Sequence, residues 1–381
     1  MKVQIPFAKP TLGEPEWTAV RDVIESGWVT QGPRVAEFEQ ATADFCGAKN
    51  AVATSSCTTA LHLALICAEV GSGDEVIAPS MSFIATANAV VHAGATPVFA
   101  EVDPQTFNLD VEDVRKRITS KTRAILFADQ LGIPARIDEL AELAGEYDLK
   151  LIEDAACAIG SAYRGKPIGS HCEWVCFSFH PRKLLTTGDG GMIMTPSAEH
   201  AERLRRLRHH GMSISDVERN SQSKFGQETY AEIGYNYRLS DVQAAMGLVQ
   251  LKRLPANIEA RRARASDYAS HLEGHPIINP PLIPDDVEWN VQTYAVRLTN
   301  FSASQRNQVA QSLLDAGIAT RAGVATTHRQ PAYVSREGRV RLPISEGASD
   351  GSLQLPMHAE LSPDDCAMVS HHLIEAVERW A

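Results

Sequence analysis

Residues 177–191 read FSFHPRKLLTTGDGG, which predicts a short apolar strand followed by one lysine, Lys183, and a glycine-rich turn. An exposed lysine is a solvated cation and a poor nucleophile. A lysine at a strand end, partly removed from water and near other cations, has a lowered pKa and can form a Schiff base through its neutral amine. The stretch therefore predicts a reactive lysine at the edge of a sheet.

A second stretch, LKLIED at residues 149–154, predicts a buried strand that ends in a carboxylate, Asp154. A Schiff-base lysine together with a buried aspartate is the pair that pyridoxal phosphate requires. The lysine holds the aldehyde of the cofactor, and the aspartate keeps the pyridine nitrogen protonated so that the ring can accept electrons. Lys183 and Asp154 are thus the candidate catalytic residues.

Short apolar runs alternate with helical patterns between residues 48 and 195, which indicates a mostly parallel sheet with helices on both faces. Ligands collect at the carboxyl ends of the strands in such sheets, and both Lys183 and Asp154 fall there. The fold class predicted is therefore α/β. The predicted strands are residues 51–53, 75–77, 96–100, 124–127, 149–154, 175–179 and 191–194.

The domain organisation follows from length and from one proline. A chain of 381 residues is long enough for two domains. A helix is predicted over residues 240–254, capped by Ser240 and ended before Pro255. We therefore expect a large domain over residues 31–255 and a smaller α/β domain over residues 256–381.

Seven motifs, in order and at family spacing, make the chain resemble a known family. They are 5–10 (IPFAKP), 26–33 (SGWVTQGP), 56–65 (SCTTALHLAL), 153–156 (EDAA), 177–191, 234–241 (GYNYRLSD) and 355–358 (LPMH). The chain resembles the DegT/DnrJ/EryC1/StrS sugar aminotransferases, which belong to the fold-type I (aspartate aminotransferase-like) pyridoxal phosphate enzymes. The resemblance implies that residues 1–30 pack on the small domain.

Composition limits the partners that we expect. The net charge of −11 argues against nucleic acid or an anionic membrane as a general partner, because both need a basic surface. The sequence has no apolar run near the ~20 residues of a membrane span and no signal-peptide core at its start, so cytoplasm is the expected location. Seven cysteines scattered in apolar segments are expected to be thiols. His171, Cys172 and Cys176 lack a second ligand pair, so we expect no metal.

Several further cofactor contacts are implied by the resemblance. Ser56, Cys57 and Thr58 open a helix, a position that binds anions. In the family the matching residues bind the cofactor phosphate together with the residue that matches Ser178. Phe83 matches the aromatic residue that stacks on the cofactor ring. Helix capping alone would also explain residues 56–58, and an ordinary core position would explain Phe83.

Four positions depart from the family pattern. Cys57 stands where glycine is usual, and Cys157 replaces a glutamine that many relatives carry three residues after the aspartate. A thiol cannot make the hydrogen bonds of an amide, so Cys157 is expected only to pack on the cofactor ring. Asp129 stands where histidine is usual, and Asp189 where glutamate is usual.

The remaining candidates concern the wall of the site, the subunit interface and substrate binding. His180 either lines the site or hydrogen-bonds the backbone. In relatives the residue matching Asn236 reaches the cofactor phosphate of the neighbouring subunit, which implies a homodimer with shared active sites; a polar turn would also explain it. The candidates for substrate binding are Trp28, Arg238, Arg321 and His328.

The predicted activity is a pyridoxal phosphate-dependent aminotransferase that passes through pyridoxamine 5'-phosphate in a ping-pong cycle. The resemblance implies L-glutamate as donor and a keto group of a nucleotide-linked deoxy sugar as acceptor, in polysaccharide or antibiotic-sugar biosynthesis. A cyclitol or another ketone is the alternative acceptor. Sugar dehydratases of the same fold replace the lysine with histidine, so Lys183 argues against that activity. The retained pair of Lys183 and Asp154 argues against a non-catalytic, cofactor-binding regulator.

Overall fold

The predicted strands assemble into one seven-stranded central sheet. A computed structural model describes residues 3–213, 228–337 and 340–381. All seven predicted strands belong to this sheet, with ends within two residues of those predicted. The strands up to residue 195 are β1 (Asn50–Thr54), β2 (Glu75–Pro79), β3 (Thr96–Ala100), β4 (Thr122–Ala128), β5 (Lys150–Asp154), β6 (Ala162–Tyr163), β7 (Lys166–Pro167), β8 (Trp174–Ser178) and β9 (Gly191–Thr195).

The central sheet is mostly parallel, as the alternation predicts. Its strand order is β1-β9-β8-β5-β4-β2-β3. All neighbouring pairs from β8 to β3 run parallel, whereas β9 is antiparallel to both β1 and β8. Asp154 lies in register with Ala128 on β4 and Cys176 on β8. The carboxyl ends of β4, β5 and β8 therefore meet at one edge, and the α/β fold class is confirmed.

Helices cover both faces of this sheet. Ile125 and Phe127 point into one buried cluster, whereas Ala124 and Leu126 point into another, as the alternation of side chains along a strand requires. None of the helices in the described ranges is long and apolar enough to cross a bilayer. The helices of this region are α1 (Glu14–Ser26), α2 (Pro33–Cys46), α3 (Cys57–Cys67), α4 (Ala85–His92), α5 (Val111–Arg117), α6 (Ile137–Glu146) and α7 (Ala198–Leu207).

A second core forms around a smaller, antiparallel sheet. Its four strands have the order β10-β12-β14-β13, and β11 pairs with β6 in a separate three-stranded sheet. The strands are β10 (Ile278–Asn279), β11 (Val287–Glu288), β12 (Ala295–Leu298), β13 (Arg321–Ala322) and β14 (Ser352–Gln354). The helices are α8 (Asp241–Leu272), α9 (Ala303–Asp315), α10 (Pro331–Glu337), α11 (Pro343–Asp350) and α12 (Pro363–Trp380).

The predicted end of the helix before Pro255 is wrong, because α8 continues through this proline to Leu272. A proline inside a helix removes one backbone hydrogen bond and crowds the preceding turn. Burial on both sides of the proline offsets this cost: Leu254 and Ile258 pack in the core of the central sheet, and Leu272 packs in the second core. Tertiary packing therefore overrides the local stop signal.

The N-terminal segment contacts both parts of the chain. Ile5 lies in the second core, and the Gln4 backbone N–H donates to the Gly317 carbonyl at 2.9 Å. Farther along, the Glu16 carboxylate accepts hydrogen bonds from Gln250 and Arg253 of α8, at 2.8 and 2.9 Å. The domain boundaries at residues 30 and 255 stay predictions.

A buried ion pair ties α2 and α7 to β1. Arg208 and Glu39 are 4% and 6% exposed and contact each other directly. Glu39 also accepts a hydrogen bond from the backbone N–H of Ala53 at 2.9 Å, and Arg208 donates to the Ala53 carbonyl at 2.6 Å. The pair is thus bonded to the backbone of the strand that precedes α3.

We expect Arg208→Met to lower the free energy of unfolding by about 3–5 kcal/mol, because it leaves the buried Glu39 carboxylate without its main cation. Urea unfolding measures the change. The control is Arg206→Met on the same helix. Its nearer partner Glu202 is 74% exposed and its other partner, Glu232, is 4.0 Å away, so we expect a loss of about 1 kcal/mol or less. Equal losses in the two variants would contradict this account.

Candidate active site

A cavity of about 720 Å³ opens at the edge where the carboxyl ends of β4, β5 and β8 meet. Residues of the part of the chain that carries the smaller sheet, among them Gln292 and Arg321, line its other side. Most of the candidate residues that are far apart in sequence meet here. Those that line the cavity are Ser56, Cys57, Thr58, Phe83, Asp154, Cys157, Ser178, His180, Lys183 and Arg321.

Asp154 ends β5 and is 7% exposed. Its Oδ2 accepts a hydrogen bond from Thr86 Oγ1 at 2.7 Å, and its Oδ1 accepts one from the Ala156 N–H at 3.2 Å. Burial raises the pKa of the Asp154 carboxyl above its usual value, while these two hydrogen bonds partly oppose the rise. The carboxyl is therefore held in one orientation at the floor of the cavity.

Lys183 lies five residues beyond the end of β8, with Nζ 3.0 Å from Cys157 Sγ. Burial lowers the pKa of the Lys183 amine, as the sequence predicts. The charge and hydrogen bond of Cys157, followed by Cys57 and Asp154, outweigh burial, so the net pKa lies above the usual value. The predicted lowering is therefore wrong for the chain without a ligand, because acidic groups and not cations surround the amine.

An anion-binding rim lies at the start of α3. Ser56 caps this helix, with its side chain accepting from the Thr59 N–H at 3.2 Å. Gly191 passes so close to the turn that a Cβ there would lie 2.5 Å from the Ser56 carbonyl carbon. Gly191 is paired with Ser178, whose hydroxyl faces the same cavity. Helix N-terminal N–H groups and these hydroxyls together suit a phosphate.

Phe83 and His180 occupy positions at the wall of the cavity. Phe83 is 70% exposed, so an ordinary core position is excluded for it. His180 lines the cavity and its Nδ1 accepts a hydrogen bond from the Arg182 backbone N–H at 3.2 Å, so both alternatives for this residue hold. Burial, then the Arg182 charge, lowers the pKa of His180.

The other four candidates lie away from the cavity lining. Trp28 Nε1 donates to the Gln31 carbonyl at 3.1 Å, and Arg238 Nη1 is 2.7 Å from His209 Nδ1. Asn236 forms an isolated backbone bridge with His209. His328 is buried, with one ring nitrogen on Ser80 Oγ and the other 3.0 Å from Glu346. The chain by itself therefore does not bring these four to the site.

The cavity residues fit pyridoxal phosphate in three separate respects. One space is lined by three matching groups. The amine suits an aldehyde, the buried carboxylate suits a protonated ring nitrogen, and the helix start suits a phosphate. Within the described residues, no three His, Cys, Asp or Glu side chains are grouped as metal ligands.

Comparison with known proteins agrees with this geometry. The DegT/DnrJ/EryC1/StrS aminotransferase family matches residues 10–374. The chain belongs to this family. The aminotransferase is 33% identical over 365 residues to the uncharacterised protein MJ1066 of Methanocaldococcus jannaschii. The match covers 95% of this chain and 94% of the relative.

Two solved structures extend the likeness to three dimensions. TlmJ, an aminotransferase from Streptoalloteichus hindustanus, is 35% identical with a TM-score of 0.91, over 99% of each chain. Spr1654 from Streptococcus pneumoniae, assigned as a sugar aminotransferase and solved in its PMP form, is 29% identical with a TM-score of 0.94, over 99% of this chain and 100% of that one. The fold-type I architecture, the pyridoxal phosphate cofactor and the aminotransferase class are thereby confirmed.

The structure adds two positioning residues that the sequence analysis missed. Gln292 accepts a hydrogen bond from the Leu184 N–H at 3.2 Å and donates to the Arg182 carbonyl at 2.8 Å, so it holds the backbone on both sides of Lys183. Thr86 holds Asp154 as described above. Both act across more than 60 positions of sequence, so no local pattern points to them.

A pair of buried acids lies at the cavity of the aminotransferase, and one of them, Asp129, is among the lining residues. Asp129, at the end of β4, and Glu153 on β5 are 1% and 0% exposed. Asp129 accepts a hydrogen bond from the Ala135 N–H at 2.9 Å. Burial raises the pKa of Asp129 to about 7, with the Asp154 charge adding to the rise, and the pKa of Glu153 is also raised, by burial and then by Asp129. Further titratable groups near Glu153 are Cys46, Cys172 and Cys176.

This acid pair predicts a pH-dependent stability. The pKa of Asp129 is about 7 in the folded chain and about 4 in an unfolded one. The folded state therefore binds more protons in this range, and the free energy of unfolding falls as pH rises through it. Asp129→Asn keeps the oxygen that accepts from Ala135 and carries no charge. We expect it to stabilise the protein more at pH 8 than at pH 5, measured by urea unfolding. Asp22→Asn on the exposed face of α1 is the control, and the same pH trend there would contradict the assignment.

Proposed function

We propose that the aminotransferase moves the amino group of L-glutamate to a keto group of a nucleotide-linked deoxy sugar in a ping-pong cycle. The first half-reaction leaves the enzyme with pyridoxamine 5'-phosphate, and the second returns it to pyridoxal phosphate. One observation carries the proposal: the Lys183 amine and the buried Asp154 carboxyl face the same cavity beside a helix start lined with hydroxyls.

The two central side chains take separate roles. Bound pyridoxal phosphate supplies an electron sink for the reacting carbon. We assign to Lys183 the attachment of the cofactor and the transfer of a proton through Nζ between substrate and cofactor carbons. Asp154 is assigned to the ring nitrogen, where a charge-assisted hydrogen bond keeps that nitrogen protonated. A cation beside Asp154 also cancels one of the charges that hold the Lys183 proton, which favours the neutral amine.

The surrounding residues hold and orient the cofactor in this proposal. Ser56, Cys57 and Thr58 bind its phosphate through the start of α3, together with the Ser178 hydroxyl. The exposed face of Phe83 covers the ring. We assign Cys157 and His180 to the wall next to Lys183, where they exclude water from the amine.

The acceptor is inferred from charge and from relatives. Arg321 lines the cavity with its guanidinium carbon 5.8 Å from the centre of the Phe7 ring, which fixes a cation at the mouth and suits a phosphorylated acceptor. The assignment of Spr1654 as a sugar aminotransferase supports a sugar. Trp28, Arg238 and His328 complete the proposed acceptor region, and a cytoplasmic pathway to polysaccharide or antibiotic sugars would use the product.

A non-sugar ketone, such as a cyclitol, is the second candidate. The structure of 3-amino-5-hydroxybenzoic acid synthase is 27% identical to this chain, with a TM-score of 0.90 over 100% of each. A fold this similar therefore serves a product that is not a nucleotide sugar, and the acceptor must be chosen by screening both classes.

We further propose that the active unit is a homodimer in which Asn236 completes the partner's cofactor site. Asn236 lies off its own cavity, and neighbouring Ile233 is 90% exposed, as expected for a residue that a second subunit covers. Mixing Asn236→Ala with Lys183→Ala subunits tests this. Heterodimers should regain about one intact site per dimer, and no recovery after verified subunit exchange would overturn shared sites.

The proposed reaction is tested by absorbance of the purified, cofactor-loaded protein before and after L-glutamate is added. We expect the visible band of lysine-bound cofactor to fall while the near-ultraviolet band of pyridoxamine 5'-phosphate rises. Adding a nucleotide-linked keto sugar should restore the visible band. A visible band that ignores L-glutamate would overturn the donor, and restoration only by cyclitol ketones would overturn the acceptor.

A further inference from the structure

Two reactive side chains touch inside the cavity, and the proposed catalytic roles use only one of them fully. Lys183 Nζ lies 3.0 Å from Cys157 Sγ, and both side chains are half-buried and reachable from the cavity. Cys57 is the other half-buried cysteine. The remaining cysteines are buried, which keeps small oxidants in solution away from them: Cys46, Cys67, Cys172, Cys176 and Cys366.

The surroundings favour oxidation at Cys157 over Cys57. Burial, followed by the Asp154 charge, raises the pKa of Cys57 well above its usual value, so Cys57 stays a protonated thiol. Cys157 instead contacts a cation, the Lys183 ammonium, which stabilises the negative charge that its sulfur carries as it attacks an oxidant. The thiolate is the form that reacts with peroxide.

We propose that peroxide joins Cys157 to Lys183 through a reversible sulfenamide bond that closes the cofactor site. In the first step the Cys157 thiol and hydrogen peroxide give a sulfenic acid and water, with sulfur oxidised by two electrons and peroxide reduced. In the second step the neutral Lys183 amine attacks this sulfur. The N–S bond forms, the S–O bond breaks, and a second water leaves with one amine proton.

Oxidation itself prepares the amine for the second step. The charge of Cys157 is the first of the effects that hold the proton on Lys183 against burial. Conversion of Cys157 to a sulfenic acid replaces the sulfur that contacts Nζ with an uncharged group, and burial then favours the neutral amine. Two equivalents of a small thiol reverse the bond and return the free thiol and the free amine.

The sulfenamide also depends on the state of the cofactor. This part rests on the proposed function, because it requires Lys183 to be the residue that carries pyridoxal phosphate. A Lys183 nitrogen already bonded to the cofactor cannot attack sulfur. The cross-link is therefore expected only when the amine is free, which makes cofactor loading a protection against peroxide.

Peptide mapping of the full-length protein tests the bond without any turnover. Trypsin releases residues 151–164, in which Cys157 is the only cysteine. It cuts after an unmodified Lys183 but not after a modified one, so a bonded Lys183 stays in residues 183–203, which contain no cysteine. After hydrogen peroxide treatment of cofactor-free protein, we expect these two peptides joined, lighter than their sum by two hydrogen atoms. Uptake of pyridoxal phosphate, read from the visible band, should fall in proportion to the joined fraction and return after dithiothreitol.

Matched variants decide between this bond and other oxidation products. Cys57→Ser should still form the joined peptide. Cys157→Ser should form none, and its cofactor uptake, whatever its level, should be the same with and without peroxide. Cofactor-loaded wild type should form much less than cofactor-free protein. A dimedone-trapped sulfenic acid at Cys157 with free Lys183, or a disulfide between Cys57 and Cys157, would overturn the proposal. Joined peptides in a protein that ignores L-glutamate would overturn only the proposed reaction.

Discussion

Lys183→Ala is expected to remove the visible band of bound cofactor and to lower kcat by at least about 10³-fold, since both cofactor attachment and proton transfer are assigned to this amine. Absorbance of cofactor-supplemented protein and single-turnover reaction with L-glutamate measure the two effects. The fold should be intact because the Lys183 side chain contacts the cavity and its backbone is held by Gln292.

The matched control for this variant is Arg182→Ala, which removes the neighbouring cation. The Arg182 side chain is exposed, and Gln292 binds only its backbone carbonyl. We expect Arg182→Ala to keep the visible band and the response to L-glutamate. A Lys183→Ala protein that kept both properties would show that another amine carries the cofactor.

Asp154→Asn is expected to lower kcat/KM by about 10²–10³-fold, because a neutral amide cannot stabilise a protonated ring nitrogen as a carboxylate does. Asparagine keeps the shape of the side chain and can still accept from Thr86. The loss should therefore come with weaker cofactor retention and with little change in the free energy of unfolding.

Glu153→Gln is the control for Asp154→Asn, since it makes the same kind of change one residue away on β5. Its side chain is buried and does not line the cavity, and burial followed by Asp129 raises its pKa, which favours the neutral acid that glutamine resembles. We expect Glu153→Gln to retain cofactor normally. Equal losses of cofactor in the two variants would mean that Asp154→Asn acts through the strand and not through the ring nitrogen.

Much of the fold is readable from local sequence. The strands of the central sheet are short apolar runs, and burial on both faces makes such runs easy to recognise. Pro255 misled the prediction because a stop signal is local, whereas the gain from packing α8 into two cores is not. The residue at which a helix ends depends on the balance between the local cost of a proline and the free energy gained by packing.

Some residues of the site can likewise be predicted from local sequence, and others cannot. Lys183, Asp154 and the start of α3 each follow a strand, so the sequence places them at the same edge of a parallel sheet. His328 lies in a buried hydrogen-bond network with Ser80 and Glu346, which no spacing in the sequence indicates. Its proposed contact with substrate therefore needs a rearrangement or a second subunit.

The sequence by itself determined the family and the α/β class, and it singled out Lys183 and Asp154 as the candidate catalytic pair, because these depend on residue type and order along strands. The tertiary structure alone decided the charge around Lys183. Cys57 opens α3, whereas Asp154 and Cys157 lie at the end of β5 and just after it, and the approach of these two segments to Nζ reverses the lowering of pKa that burial would produce. Electrostatic energies depend on distance in space, and distances between segments exist only in the folded chain.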